Sequence, residues 1–291
     1  LVSVVVVSYN TRERLLACLA AVQSRVSLPH EVIVVDNASA DGSAAAVRAG
    51  FPSAVVIENA MNAGFSRANN QGLRRGRGAY ALVLNSDAEV AAGCVEAMAA
   101  ILDARADVGI VGPRTRFGDG RIQLSFGPML APCAEWRQRR LVSGVRRGDP
   151  GALREVEAMA STEHEPAWVS GSCLLARRRA LDAVGLFDED FFLYEEDVDL
   201  CVRVRAAGWR IVFTPAAEVV HHLGSSMTAP GVALEYHRSH LRFYAKHHGW
   251  ATRLLLRGGL AARGGLGWLT ARGPETRRAS ADLIRLALRG R

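Results

Sequence analysis

The chain has 291 residues, 49% of them hydrophobic and 22% charged, which suits one large α/β domain or two small ones with a full core and excludes a disordered or low-complexity protein. Its net charge of +7 is uneven: residues 238–291 hold eleven Arg and Lys246 against Glu275 and Asp282, so that segment carries +10 and the remainder −3. No apolar run reaches transmembrane length and no secretory leader pattern is present. Five cysteines (Cys18, Cys94, Cys133, Cys173 and Cys201) contain no C-x-x-C pair, so structural thiols in a reducing cytosol are expected rather than a disulfide frame or a zinc site.

In chain order, Val2–Val7 is a β-branched run that ends in Ser8-Tyr9-Asn10. The chain opens inside this strand at Leu1, and the expectation is that a short segment precedes it. Leu15, Leu16, Leu19 and Val22 have helical spacing over 12–25. Glu31–Val35 is a second strand, ended by Asp36-Asn37, and Asp41-Gly42-Ser43 opens an Ala-rich helix. A third strand (54–57), a helix (64–75), a fourth strand (80–84) and a helix (92–104) follow. Strands alternating with helices at this spacing predict βαβ units, and continuous apolar runs suit buried parallel strands. Residues 117–166, rich in Gly, Pro and Arg, read as loops with one short helix. Order returns over Trp168–Ala176, followed by a helix from about 177, a helix over 197–207, and strands over 210–213 and 218–220. From 232 the chain reads as helical and basic, although Gly258, Gly259, Gly264, Gly265 and Gly267 weaken a continuous helix there.

Ligands of parallel sheets bind beyond the carboxyl ends of the strands. Four such ends are polar here, namely Ser8-Tyr9-Asn10, Asp36-Asn37, Glu58-Asn59 and Asn85-Ser86-Asp87, and together they predict one site. No G-x-G-x-x-G follows the first strand, no Walker-type loop exists, and no H-E-x-x-H helix occurs. Phosphates would then be neutralised by side chains and a metal. Asn85-Ser86-Asp87 is a turn or helix-cap sequence in its simplest reading, but it also presents hard oxygens suited to Mg²⁺ or Mn²⁺. Glu195-Glu196-Asp197 at a helix start is favoured by the helix dipole alone, and Asp199 with Arg203 forms an i,i+4 pair; the same dipole keeps a carboxylate ionised and able to accept a proton. His221-His222 is either an idle exposed pair or a source of one further metal ligand.

The ordered set "VSVVVVSYN", "VIVVDNASADGS", "NAGFSRANNQG", "LNSDAEV", "VSGSCLLARR", "GLFDEDFFLYEEDVDLCVRVRAAGW" and "HHLGSS" resembles the family-2 inverting glycosyltransferases, and among them rhamnosyltransferase-like members of cell-wall and O-antigen assembly. The resemblance spans residues 2–226. It implies a GT-A, Rossmann-like, mostly parallel sheet flanked by helices over 1–230, with a basic helical C-terminal extension over 231–291. By the same resemblance Asp36 recognises the nucleotide base, with Ser8, Tyr9 and Asn10 lining its pocket, and Asn62, Arg67, Asn85 and Ser86 on the nucleotide side. Asp87 matches the metal-binding aspartate of D-x-D, although Asn85 replaces the first Asp. Asp197 matches the catalytic base and His221 a metal ligand, with His222 in reserve and Glu89 an open question. Trp168, Gly171, Ser172, Glu195 and Glu196 are expected to face the donor sugar or the acceptor.

The expected activity is transfer from a nucleoside diphosphate sugar, dTDP-L-rhamnose or a UDP-sugar, to a hydroxyl of a cell-wall, O-antigen or lipid-linked glycan. A nucleotidyltransferase and a non-catalytic sugar-binding scaffold are the rivals. A nucleotidyltransferase is disfavoured because Ser8-Tyr9-Asn10-Thr11 is not a glycine-rich phosphate loop. The basic tail, with Trp250, Leu254, Leu255, Leu256, Leu260, Leu266, Trp268 and Leu269 among arginines, suggests an anionic membrane surface on the cytoplasmic side. Packing on its own domain or a dimer contact are its other uses. Nucleic acid is disfavoured, because the main domain is net acidic.

Overall fold

The computed structural model describes residues 1–222 and 232–289. The Leu223–Ser226 part of the His-His-Leu-Gly-Ser-Ser motif lies outside the described residues. The first half alternates as the sequence predicts, with β1 (Val2–Ser8), α1 (Arg12–Arg25), β2 (His30–Asp36), α2 (Ser43–Gly50), β3 (Val55–Glu58), α3 (Phe65–Arg75), β4 (Tyr80–Asn85) and α4 (Cys94–Ala104); the sequence reading did not include β5 (Ala88–Val90), between β4 and α4, or β6 (Val108–Phe117), after α4. Then come β7 (Ile122–Gln123), β8 (Phe126–Gly127), α5 (Pro132–Arg146), α6 (Pro150–Met159), β9 (Trp168–Val169), β10 (Cys173–Arg177), α7 (Arg178–Val184), α8 (Glu196–Ala206) and β11 (Arg210–His221). Helices α9 (Val232–His247), α10 (Trp250–Thr270) and α11 (Pro274–Arg289) complete the described chain.

Among the described residues nine strands form one sheet, in the order β3-β2-β1-β4-β10-β6-β11-β5 with β7 on β6. Strands β3, β2, β1 and β4 are parallel neighbours, and β6 and β11 run parallel to each other. Strand β10 is antiparallel to both β4 and β6, so it joins the two parallel groups without reversing their common direction. All six therefore end on one edge.

Side chains alternate across the sheet. Val2, Val4 and Val6 of β1 pack with Leu15, Leu19 and Val22 of α1 and Met98 and Leu102 of α4. Val5 faces the other way, with Leu73 of α3, Leu181 of α7, Val198 of α8 and Phe243 of α9. Burying each such side chain contributes about 1.5–3 kcal/mol. The four cysteines whose side chains are described, Cys18, Cys94, Cys173 and Cys201, are buried and form no disulfide.

The structure departs from the sequence reading in four further places. Residues 117–166 hold two helices rather than one, α5 and α6, each with Pro in its first turn. The run 168–176 is two strands, β9 and β10, split by Ser170-Gly171-Ser172. Residues 210–221 make one strand, with a register irregularity between Thr214 and Glu218. The glycines of α10 do not break it. A Cβ on Gly264 would stand 2.7 Å from Ile284 Cγ1, and one on Gly267 2.8 Å from Ser280 Oγ, so their absence lets α10 and α11 approach closely. Phe243 and Tyr244 of α9 lie in the same core as α7 and α8.

Candidate active site

The strand ends open onto a cleft of about 340 Å³. On one wall stand Tyr9, Asn37 and Asn62; at the centre Asn85, Ser86, Asp87 and His221; opposite, Gly171, Ser172, Glu196 and Asp197. Phe65, Arg146, Ser170, Phe192, Leu193 and Tyr194 also line it.

The wall after β1 and β2 is a polar mesh. Ser8 Oγ lies 3.0 Å from Thr11 Oγ1, which lies 2.8 Å from Ser86 Oγ. Asn10 accepts from Ala40 N at 2.7 Å, and Asp36 Oδ2 accepts from Ser39 N at 3.0 Å. Asp36 Oδ1 is buried without a hydrogen-bond partner among the described residues, an atom that a ligand could satisfy. Ser8, Asn10 and Asp36 thus form the foundation behind the lining residues Tyr9 and Asn37. Asn37 Nδ2 donates to Asn62 Oδ1 at 2.7 Å, and Asn62 Oδ1 also accepts from Gly64 N at 3.0 Å. Gly64 has φ +81°, and a Cβ there would sit 2.6 Å from Phe192 O, so only glycine fits between this wall and the acidic segment.

At the centre, His221 Nε2 stands 3.1 Å from Asp87 Oδ1 and 3.3 Å from Asn85 Nδ2, and its Nδ1 lies 3.2 Å from the Gln123 amide. Strand alternation sends the two histidines of the pair to opposite sides. His222 Nε2 is 2.9 Å from Glu89 Oε1, so both His222 and Glu89 are engaged away from Asp87. Asn85 Oδ1 is buried and lacks a partner among the described residues. Asp87, His221 and the Asn85 oxygen suit a divalent cation as a partial donor set. Among the described residues no cluster of three or more His, Cys, Asp or Glu could hold a metal by itself, so oxygen atoms of a bound ligand would have to complete the shell.

Across the cleft, Asp197 is held by two backbone amides. Gly171 N donates to Oδ2 and Val198 N to Oδ1, each at 2.8 Å. Burial pushes the Asp197 pKa up to about 6, against those two hydrogen bonds, which lower it. The expectation that a helix start simply keeps this carboxylate ionised is thus modified: desolvation outweighs the dipole, yet the group still loses its proton below neutrality. Glu196 is pushed well above the usual carboxylate range by burial and then by the charge of Asp197. Immediately before them, Tyr194 and Glu195 both have positive φ, +72° and +65°. Two consecutive non-glycine residues in the left-handed region cost of order 1–3 kcal/mol each and need outside support. Helix α9 gives it: Ser239 Oγ donates to Leu193 O at 2.7 Å, and His240 Nδ1 is 2.9 Å from Glu195 Oε1.

Three expected site residues stand elsewhere. Arg67 turns away to Glu189 at 3.1 Å, because α3 presents it on its outer face beside Arg74. Trp168 is buried in β9 and donates through Nε1 to Pro128 O at 2.9 Å, below the cleft rather than in it. Glu195 is spent on His240. The strand end Glu58 is likewise outside the site, ion-paired with Arg48. Conversely, Arg146, the one Arg or Lys among the described lining residues, comes from the stretch where the sequence offered no pattern. Phe192 and Tyr194 sit in the acidic, aromatic segment, where their aromatic character was the available signal.

The pattern of glycosyl transferase family 2 matches residues 3–185, and that of glycosyl transferase family group 2 matches residues 155–262. The chain is 31% identical over 277 residues to the N-acetylglucosaminyl-diphospho-decaprenol L-rhamnosyltransferase of Mycobacterium tuberculosis, covering 89% of this chain and 90% of that protein. Two solved structures share its GT-A fold. The mannosyltransferase PcManGT from Pyrobaculum calidifontis, in complex with GDP-Man and Mn²⁺, superposes with a TM-score of 0.61 at 20% identity, over 99% of this chain and 86% of that one. GalNAc-T7 with UDP, GalNAc and Mn²⁺ gives 0.64 at 14% identity, over 97% and 54%.

Proposed function

Because the chain belongs to glycosyl transferase family 2 and is of rhamnosyltransferase type, we propose that it transfers a sugar from a nucleoside diphosphate sugar to an acceptor hydroxyl with inversion at the anomeric carbon. The observation that carries this reading is the placement of Asp197, fixed by two backbone amides at 2.8 Å, in the same cleft as the Asp87–His221 pair. The nucleoside lies against Tyr9, Asn37 and Asn62, over the Asp36 foundation. Asp87, His221 and Asn85 would hold Mg²⁺ or Mn²⁺, which would supply charge neutralisation of the leaving diphosphate. Asp197 takes the proton from the acceptor hydroxyl, whose oxygen attacks the anomeric carbon opposite the leaving group. One displacement inverts the configuration, and no covalent sugar–enzyme intermediate forms.

By analogy with the mycobacterial relative, whose name specifies a rhamnosyl donor and a diphospho-decaprenol acceptor, dTDP-L-rhamnose is the first choice of donor and a lipid-linked glycan of the cell wall or an O-antigen the first choice of acceptor. A UDP-sugar is the second donor choice. Such an acceptor places the enzyme at the cytoplasmic membrane surface. No helix among the described residues is long and apolar enough to cross a membrane; the surface contact in this reading is made by α10 and α11. The test is release of nucleoside diphosphate from dTDP-L-rhamnose and from UDP-sugars with Mn²⁺ and a lipid-linked acceptor, followed by assignment of the anomeric configuration by NMR. Donor binding without release of nucleoside diphosphate would leave a sugar-binding scaffold in place of an enzyme.

A further inference from the structure

A second groove, of about 530 Å³, lies beside the cleft. Arg14 from the first turn of α1, Phe117 at the end of β6 and Asp119 after it, Arg121, Arg146 at the end of α5, and His222 just after β11 surround it. Arg146 lines both the groove and the cleft, so the two meet there. His221 lines the cleft and His222 the groove, because neighbouring strand residues point to opposite sides. The end of β11 therefore stands between the groove and Asp87.

The groove is cationic. The charge of Asp119 is taken up by Arg121, 2.7 Å away. Arg121 Nη1 also donates to Val145 O at 2.8 Å and to Arg146 O at 3.3 Å, which fixes the end of α5 and with it the root of Arg146. Among the described residues neither Arg14 nor Arg146 is ion-paired with a carboxylate. Two guanidiniums without counterions among the described residues, facing one groove, suit phosphate oxygens, which arginine forks bind bidentately.

We propose that this groove binds the diphosphate of the acceptor through Arg14 and Arg146, at a site separate from that of the donor diphosphate. This rests on the glycosyltransferase reading above, and it gives the acceptor its chemical class: a glycan carried on a prenyl diphosphate. Arg146, shared by groove and cleft, brings the acceptor's anionic end up to the rim of the donor site, so that the sugar beyond the diphosphate can reach Asp197.

The probe is geranyl diphosphate, a soluble prenyl diphosphate, titrated calorimetrically into the full chain with the donor site filled by nucleoside diphosphate and Mn²⁺. The unaltered protein should bind it. Arg14→Ala and Arg146→Ala should each weaken that binding at least tenfold, while Arg75→Ala, an exposed charge on α3, should not. Geraniol, which lacks the diphosphate, should bind at least tenfold more weakly than the probe. Arg14→Ala should leave the affinity for nucleoside diphosphate within twofold. If Arg14→Ala weakens nucleoside diphosphate as much as the probe, the groove serves the donor and the proposal is overturned. Normal nucleotide binding with no binding of the probe, or equal binding of geraniol, overturns this proposal alone. Absence of nucleoside diphosphate binding by the unaltered chain sinks the donor reading, and this proposal with it.

Discussion

His240 joins two buried carboxylates from distant parts of the chain: its Nδ1 is 2.9 Å from Glu195 Oε1, and its Nε2 makes an ion-pair contact at 3.1 Å with Glu135 Oε2. Burial works against its charge, but hydrogen bonds and the fields of Glu135 and Glu195 prevail and raise its pKa to about 9. Tyr244 and Arg139 complete the cluster on Glu135. A second clamp ties α8 to α9, where the fully buried Asp199 meets Arg203 at 2.7 Å, Lys246 at 2.8 Å and His247 at 2.7 Å. Helix α9 is therefore part of what holds the acidic segment in shape.

Removing the His240 imidazole leaves the buried Glu195 carboxylate without its ion-pair partner and Glu135 with Arg139 and Tyr244 alone, which costs on the order of 3–5 kcal/mol. His240→Gln combined with Glu135→Gln removes charge from both sides and should fold. In that variant turnover should fall about tenfold or more while the dissociation constant for nucleoside diphosphate stays within twofold, since the strained turn before Asp197 loses its support. A variant with unchanged turnover would show that His240 stabilises the fold without positioning the base.

The same histidine makes a pH prediction for stability. Its folded-state pKa of about 9 lies above the unfolded value of 6.5, so its contribution is fully present below pH 6.5 and is lost as pH rises through 9. The shift corresponds to about 3 kcal/mol. Urea unfolding between pH 7 and pH 10 should show this decline in the unaltered protein, and a much flatter profile in the double Gln variant. Matching slopes would mean that another group titrates over that range.

Asp197→Asn should reduce transfer by about 10²–10⁴-fold with donor binding nearly intact. In the unaltered enzyme kcat/KM should fall as pH drops through about 6, where Asp197 gains its proton and can no longer act as a base. A variant retaining more than about half of wild-type turnover would assign the base role to another group.

Chelation should abolish activity and also weaken nucleoside diphosphate binding, a readout independent of turnover. Asp87→Ala should weaken nucleoside diphosphate much more than nucleoside, because only the diphosphate senses the cation. His221→Ala should act in the same direction to a smaller extent, and His222→Ala, whose imidazole sits on Glu89, should leave that affinity unaltered. Full activity after exhaustive chelation would sink the metal assignment.

Trp250, Leu254, Leu255, Leu266, Trp268 and Leu269 of α10 are exposed, whereas Leu260 and Gly264 are buried. At 100° per residue the exposed set occupies one side of the helix and the buried set the other. With basic residues on the same hairpin, this face suits anionic lipid at about 1 kcal/mol per basic residue near the surface. The full chain should sediment with anionic vesicles and be released by high salt. Leu254→Glu, Leu255→Glu and Leu269→Glu together should keep it in solution without lowering its melting temperature. Equal sedimentation of both proteins would refute this face as the membrane contact.

Much of this was legible in the residues themselves. The β-branched runs and their polar ends at Ser8, Asp36 and Asn85 required only local periodicity, because buried parallel strands are written as continuous apolar stretches. The order of seven short motifs carried the family and fold. Asn85, Asp87, His221 and Asp197 could be singled out because hard oxygens, a helix-start carboxylate and a histidine after a strand each have a chemistry of their own.

Other features depended on three-dimensional placement. The resemblance puts His221 ahead of His222 without a physical reason; alternation at the end of β11 sends one imidazole to Asp87 and the other to Glu89. Arg67 and Trp168 have the right residue types, but the face of α3 and the depth of β9 turn them from the cleft. Arg146 reaches the site only because α5 folds over the strand ends, and the glycines of α10 prove to be contact points rather than breaks because α11 lies against them. Composition and spacing on one chain segment determined the type of chemistry available. Which groups meet, and how far burial moves the pKa of Asp197 and His240, was decided by contacts between segments far apart in sequence, since desolvation and ion pairing depend on the neighbours that packing brings together.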